Sequence, residues 1–98
     1  MTDILRMITD VARRVRPATR DGKFKSLVEE VGELATEINI ADGTKKREPS
    51  PDGVRGEGID VLVVIADILY GEFGEEIHSQ AFADQLQSKL NKWESKCK

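Results

Sequence analysis

The sequence predicts an all-α fold, a bundle of four helices completed by oligomerisation. Three observations carry this. Apolar residues recur at helical spacing in four separate stretches. No stretch alternates apolar and polar residues as a strand does, and no hairpin turn joins β-branched runs. One of the four stretches, Glu57 to Tyr70, is apolar round most of its circumference, which is more than three short neighbours can cover. The 98 residues make a single domain, residues 1–98, that is small for a stable monomer.

Taken in order, Thr2-Asp3 caps a first helix that reaches about Arg16. Its apolar stripe is Ile4, Leu5, Ile8, Val11, Ala12 and Val15. Pro17 ends it, and Pro17 to Lys23 reads as a loop. A second helix opens at Phe24 or Lys25 and runs to about Ile40, with Leu27, Val31, Leu34 and Ile38 as its stripe. Ala41 to Gly56 holds Asp42-Gly43, Pro49, Pro51 and Asp52-Gly53 around Lys45, Lys46 and Arg47, the composition of a mobile polar loop. The third helix is Glu57 to Tyr70, broken near its end by Gly71 and Gly74. A fourth runs from about Glu75 to Trp93, with Ile77, Ala81, Phe82, Leu86 and Leu90 on its inner face.

Composition narrows the function. The net charge of -3 argues against nucleic acid as the main partner. No apolar run approaches the roughly 18 residues of a membrane span, and the N-terminus lacks a signal-peptide pattern. The single cysteine, Cys97, forms no internal disulfide and supplies too few ligands for structural zinc. The expectation is a cytoplasmic protein with no membrane contact.

The chemistry lies in the acids. On the third helix Glu57, Asp60 and Asp67 share a strip about 80° wide. A buried carboxylate costs several kcal/mol unless it is paired, protonated or bound to metal, so an acidic strip on an apolar helix calls for a cation. The second helix supplies a matching set, Glu29, Glu30, Glu33 and Glu37. Glu30 and Glu33 are neighbours one turn apart, and Glu57 and Asp60 repeat that spacing. Antiparallel packing would gather four carboxylates that repel one another without cations. Oxygen-only ligation suits Mg²⁺, with Mn²⁺ as the alternative. Gly32, costly inside a helix, suggests close approach of another helix or a ligand. Asp67 reads as a supporting partner or a subunit contact rather than a ligand, and Glu37 as a solvated residue.

Glu29-Glu30-Val31-Gly32-Glu33-Leu34, followed by Glu57-Gly58-Ile59-Asp60 at the start of an apolar helix, resembles the MazG-type nucleoside triphosphate pyrophosphohydrolases. The family pattern is E-x-x-E, a spacer, then E-x-x-D; here 23 residues separate Glu33 from Glu57. The likeness covers about residues 24 to 93. It implies a MazG-like all-α homodimer or homotetramer that cleaves a nucleoside or deoxynucleoside triphosphate to the monophosphate and pyrophosphate with Mg²⁺. A deoxynucleotide substrate fits the pool-sanitising role common among short members. Carried over by position, Glu30, Glu33, Glu57 and Asp60 would be metal ligands, and Glu29 would orient or deprotonate the attacking water. Lys89, Asn91, Lys92 and Trp93 loosely match a late basic segment that contacts substrate, although the family's following arginine is absent.

Other residues could assist. Lys45, Lys46 or Arg47 could close over phosphates, and Phe24, His78 or Trp93 could stack on a base; solvated-loop and packing roles compete with these. Two rival readings remain. Glu75-x-x-His78 is the motif of di-iron bundles, but those sites need two such motifs and the chain has one histidine. A non-enzymatic helical interaction module would use the carboxylates only as solubilising charge.

Overall fold

Asp3 accepts the backbone N–H of Arg6 at 3.2 Å and so caps the first helix, α1 (Ile4–Arg14). In this computed structural model residues 3–15 and 18–97 are described; Thr2, Arg16 and Pro17, to which the sequence assigned a cap, an end and a stop, lie outside them. The second helix, α2 (Arg20–Ala41), starts a full turn before the expected Phe24. Thr19 caps it through the Gly22 N–H at 2.9 Å, and Asp21 in the first turn pairs with Lys25 at 3.2 Å. The apolar stripe begins at Leu27, about two turns after the helix does, which is why the stripe alone places the start late.

The third helix, α3 (Gly53–Phe73), also begins a turn early. Gly53 adopts φ +61° at its entrance and Gly74 φ +59° at its exit, a region that glycine occupies without a Cβ clash. Gly71 does not break the helix. The chain then makes a short 3-10 segment, Gly74–His78, where the sequence suggested the start of the fourth helix. That helix, α4 (Gln80–Lys96), begins instead at a Ser79 cap, whose Oγ accepts the Phe82 N–H at 3.2 Å. The described residues form helices and connecting turns, with no strand among them, so the chain is all-helical.

α2 and α3 pack along their length as an antiparallel hairpin. Its direction follows from the cross-helix pairs. Arg20 meets Glu72, and Lys23 reaches Asp67 at 3.4 Å, near the start of α2 and the end of α3. At the opposite end Glu37 reaches Ser50, just ahead of α3. α1 lies against α3 and leaves an apolar groove of about 570 Å³, lined by Met7, Val11, Val15, Ile59, Leu62 and Val63 among others. The 3-10 segment is tied to α1 by Arg6–Glu75 at 2.7 Å and by the fully buried Thr9. The Thr9 hydroxyl lies 3.3 Å from the Arg6 carbonyl and shares a hydrogen bond of 2.9 Å with His78 Nε2.

Little of the apolar surface is buried within one chain. Ala66 and Ile77 are the buried apolar residues among those described. Ile59, Leu62, Val63 and Ile65 of α3 are each at least 40% exposed, so the helix expected to be enclosed is open on one side. On α4, which packs chiefly against the 3-10 segment, Phe82 is half-buried and the other described residues are exposed. Of the expected inner face, Ile77 is buried and Phe82 half-buried, while Ala81, Leu86 and Leu90 face solvent in the single chain. The accessible surface is 7726 Å², against roughly 5,600 Å² for a compact monomer of this mass. The radius of gyration is 15.8 Å, against about 13 Å for a compact chain of this length. Among the described residues no helix is long and apolar enough to cross a membrane.

Candidate metal centre

Midway along the hairpin, α2 and α3 bring their acids face to face. One carboxylate oxygen from each of Glu30, Glu33 and Glu57 lies within 4.8 Å of the others. Helical spacing puts Glu30 and Glu33 on one side of α2, and the antiparallel register brings Glu57 opposite them. Asp60, one turn beyond Glu57, joins it in a second group of the same tightness whose third member is Asp52. The four ligand candidates of the sequence analysis thus fall into two groups that share Glu57.

The electrostatics follow from burial. Glu57 is only 8% exposed, and its Oε2 has no hydrogen-bond partner; the buried Oε2 of Glu30 has none either. Burial, first, and then the contact with Glu33 and the charges of Glu33, Asp60 and Glu30 push the Glu57 carboxyl up to about 7. Glu30 is raised in the same way, by burial first and then by Glu33, Asp60 and Glu29. A buried carboxylate oxygen with no donor to face is costly. The donors here are all hard oxygens with unspent lone pairs, and Mg²⁺ or Mn²⁺ fits such a set better than a soft metal does.

The remaining predicted residues sort themselves by position. Glu29 is exposed on α2, next to Glu30, and belongs to neither group. Asp67 stands one heptad beyond Asp60 and receives Lys23, whose Nζ also donates to the Asp67 carbonyl at 3.4 Å, so it supports the hairpin and not the centre. Glu37 is buried, 4% exposed, and accepts the Ser50 N–H at 3.0 Å; the expectation of a solvated residue is corrected by a loop that folds back over it. A Cβ at Gly32 would meet nothing within 4 Å, so no helix of the same chain approaches it closely.

Lys89, Asn91, Lys92 and Trp93 are all exposed on α4. α4 docks on the segment that follows Gly74, roughly 21 Å along α3 from Asp60. One chain does not bring these four to its own carboxylates. Lys45, Lys46 and Arg47 are exposed in the 42–52 loop, and Phe24 is 59% exposed on α2. His78 is engaged by Thr9 and Glu75 by Arg6, so the Glu-x-x-His motif serves to hold the 3-10 segment on α1.

Asp52 is the residue that the sequence did not reveal. Asp52-Gly53 reads as a turn dipeptide, and the expected start of α3 left it in a loop. The available signal was Asp as a helix N-cap residue. The fold and site define an all-helical protein with a carboxylate cluster spanning an antiparallel helix hairpin. No family model, curated protein or solved structure matches the chain.

Proposed function

We propose that this chain is a Mg²⁺-dependent nucleoside triphosphate pyrophosphohydrolase of the MazG type. The observation that supports it is the pair of buried, unpartnered carboxylate oxygens, on Glu30 and Glu57, inside an all-carboxylate cluster on facing helices. Glu30, Glu33, Glu57 and Asp60 would hold the cation, with Mn²⁺ as the alternative. When bound, it would neutralise phosphate charge and acidify a water. Glu29, exposed on α2 next to Glu30, would orient that water and take its proton. A bond then forms from the water oxygen to the α-phosphorus, the α–β anhydride breaks, and pyrophosphate leaves. The choice of phosphorus comes from the family resemblance, as does the preference for a deoxynucleotide.

The working unit in this reading is a homodimer or homotetramer. Each chain leaves about 2,000 Å² more surface exposed than a compact monomer of its mass, more than the roughly 800 Å² per partner of an ordinary stable interface. Lys89, Asn91, Lys92 and Trp93 would then reach substrate from the α4 of another chain. The protein is read as acting in the cytoplasm.

The test is pyrophosphate release from a panel of ribo- and deoxynucleoside triphosphates with Mg²⁺, comparing the natural chain with Glu30→Ala and Asp60→Ala. Pyrophosphate and monophosphate from the natural chain, with none from the folded variants, is the expected result. The exposed apolar groove between α1 and α3 favours a second reading, a non-enzymatic helical interaction module. No release from any triphosphate, with Mg²⁺ or Mn²⁺, would leave that reading standing and end the first.

A further inference from the structure

Glu57 belongs to two carboxylate groups at once. One is completed by Glu30 and Glu33 from α2; the other by Asp60 from the next turn of α3 and by Asp52 from the loop. Asp52 is the N-cap residue of α3, yet its side chain makes no capping hydrogen bond. An aspartate there ordinarily accepts a backbone N–H of the first turn. This one is turned toward Glu57 and Asp60 instead.

Two features hold it there. A Cβ on Gly56 would lie 2.3 Å from Asp52 Cβ and 3.0 Å from its Cγ, so only glycine at 56 lets the Asp52 side chain lie over the first turn of α3. The loop behind it is clipped down: Glu37 Oε1 accepts the Ser50 N–H at 3.0 Å, and Ser50 Oγ accepts the Gly53 N–H at 3.2 Å. Acidic clusters are common on surfaces. Here the shared member is 8% exposed and presents an oxygen with no hydrogen-bond partner, which a solvated cluster does not require.

We infer that Asp52, Glu57 and Asp60 form a second divalent-cation position beside the one made by Glu30, Glu33 and Glu57, with the Glu57 carboxylate shared between them. The inference rests on the metal-centre reading above and adds a ligand outside both E-x-x-E and E-x-x-D. It also gives the loop a task. The 42–52 segment delivers a fifth carboxylate, and Glu37 acts as its positioning residue.

The experiment is a Mn²⁺ titration of the natural chain, followed by the EPR signal of the free ion, set beside Asp52→Asn and Gly56→Ala. Asp52 makes no cap bond and is exposed, so its variant keeps the fold; circular dichroism checks both variants. The expected result is two Mn²⁺ per chain for the natural protein and one for each variant. Equal stoichiometry and affinity in the natural chain and Asp52→Asn would overturn the second position while leaving the first intact. No Mn²⁺ uptake by the natural chain would overturn both this inference and the metal-dependent function. Glu30→Gln supplies the converse arm: it should lose one ion and keep the one that Asp52 holds.

Discussion

Glu37 and Ser50 are joined by a hydrogen bond of 3.0 Å from the Ser50 backbone N–H to a carboxylate that is almost wholly buried. The bond fastens the end of a polar loop to the last turns of α2. It sets where α3 begins, because Ser50 in turn receives the Gly53 N–H. Replacing Glu37 by Ala should therefore cost about 1–3 kcal/mol, since a part-buried N–H loses its acceptor. Glu37→Gln keeps an acceptor oxygen and should cost less. Urea unfolding of the three proteins would decide; equal midpoints would mean that the loop is not held by this bond.

Stability should depend on pH through Glu57. Its carboxyl titrates near 4.5 in the unfolded chain and is raised to about 7 in the folded one, chiefly by burial. Between these values the folded protein retains a proton that the unfolded chain has released. Without metal, stability should fall as pH rises through this window and level off above it. Thermal melts in a chelator should show this fall, and Glu57→Gln should flatten it.

Mg²⁺ should reverse that trend, because ligation requires the ionised carboxylates. The gain in Tm on adding Mg²⁺ should be larger at about pH 8 than at about pH 5. Differential scanning calorimetry at the two pH values measures it. A gain that is the same at both, or absent, would count against cation binding at this cluster.

Lys23 is 12% exposed and pairs with Asp67. Asp67→Asn should destabilise the hairpin by roughly 1–3 kcal/mol, since it leaves a nearly buried ammonium without its counter-charge. Lys23→Met with Asp67→Leu should recover most of that loss. A double-mutant cycle by denaturant melts tests the coupling; purely additive effects would show that the pair does not hold the register.

The apolar groove between α1 and α3 should be covered by another chain. Val63→Lys together with Met7→Lys should shift the protein toward monomer and make it less stable, with mass read by light scattering after gel filtration. For the natural chain, Tm should rise with protein concentration. A monomeric mass for the natural chain would rule out the oligomeric reading.

The four helices and the spacing of Glu30, Glu33, Glu57 and Asp60 are legible in the sequence because helical periodicity is local. Residues three and four apart share a face whatever surrounds them. The starts of α2 and α3 are less legible, because Thr19 and Gly53 set them while the apolar stripes begin a turn or two later. Only the tertiary structure decides that Glu37 is buried, that Asp67 belongs to Lys23, that His78 holds the 3-10 segment to α1, and that Asp52 reaches Glu57. Each of these joins residues on different elements, so each depends on how the helices pack and where the loop returns. The exposed faces of α3 and α4 follow the same division. Their apolar character is written in the sequence, but how much of it one chain can cover depends on the helices available to lie against it.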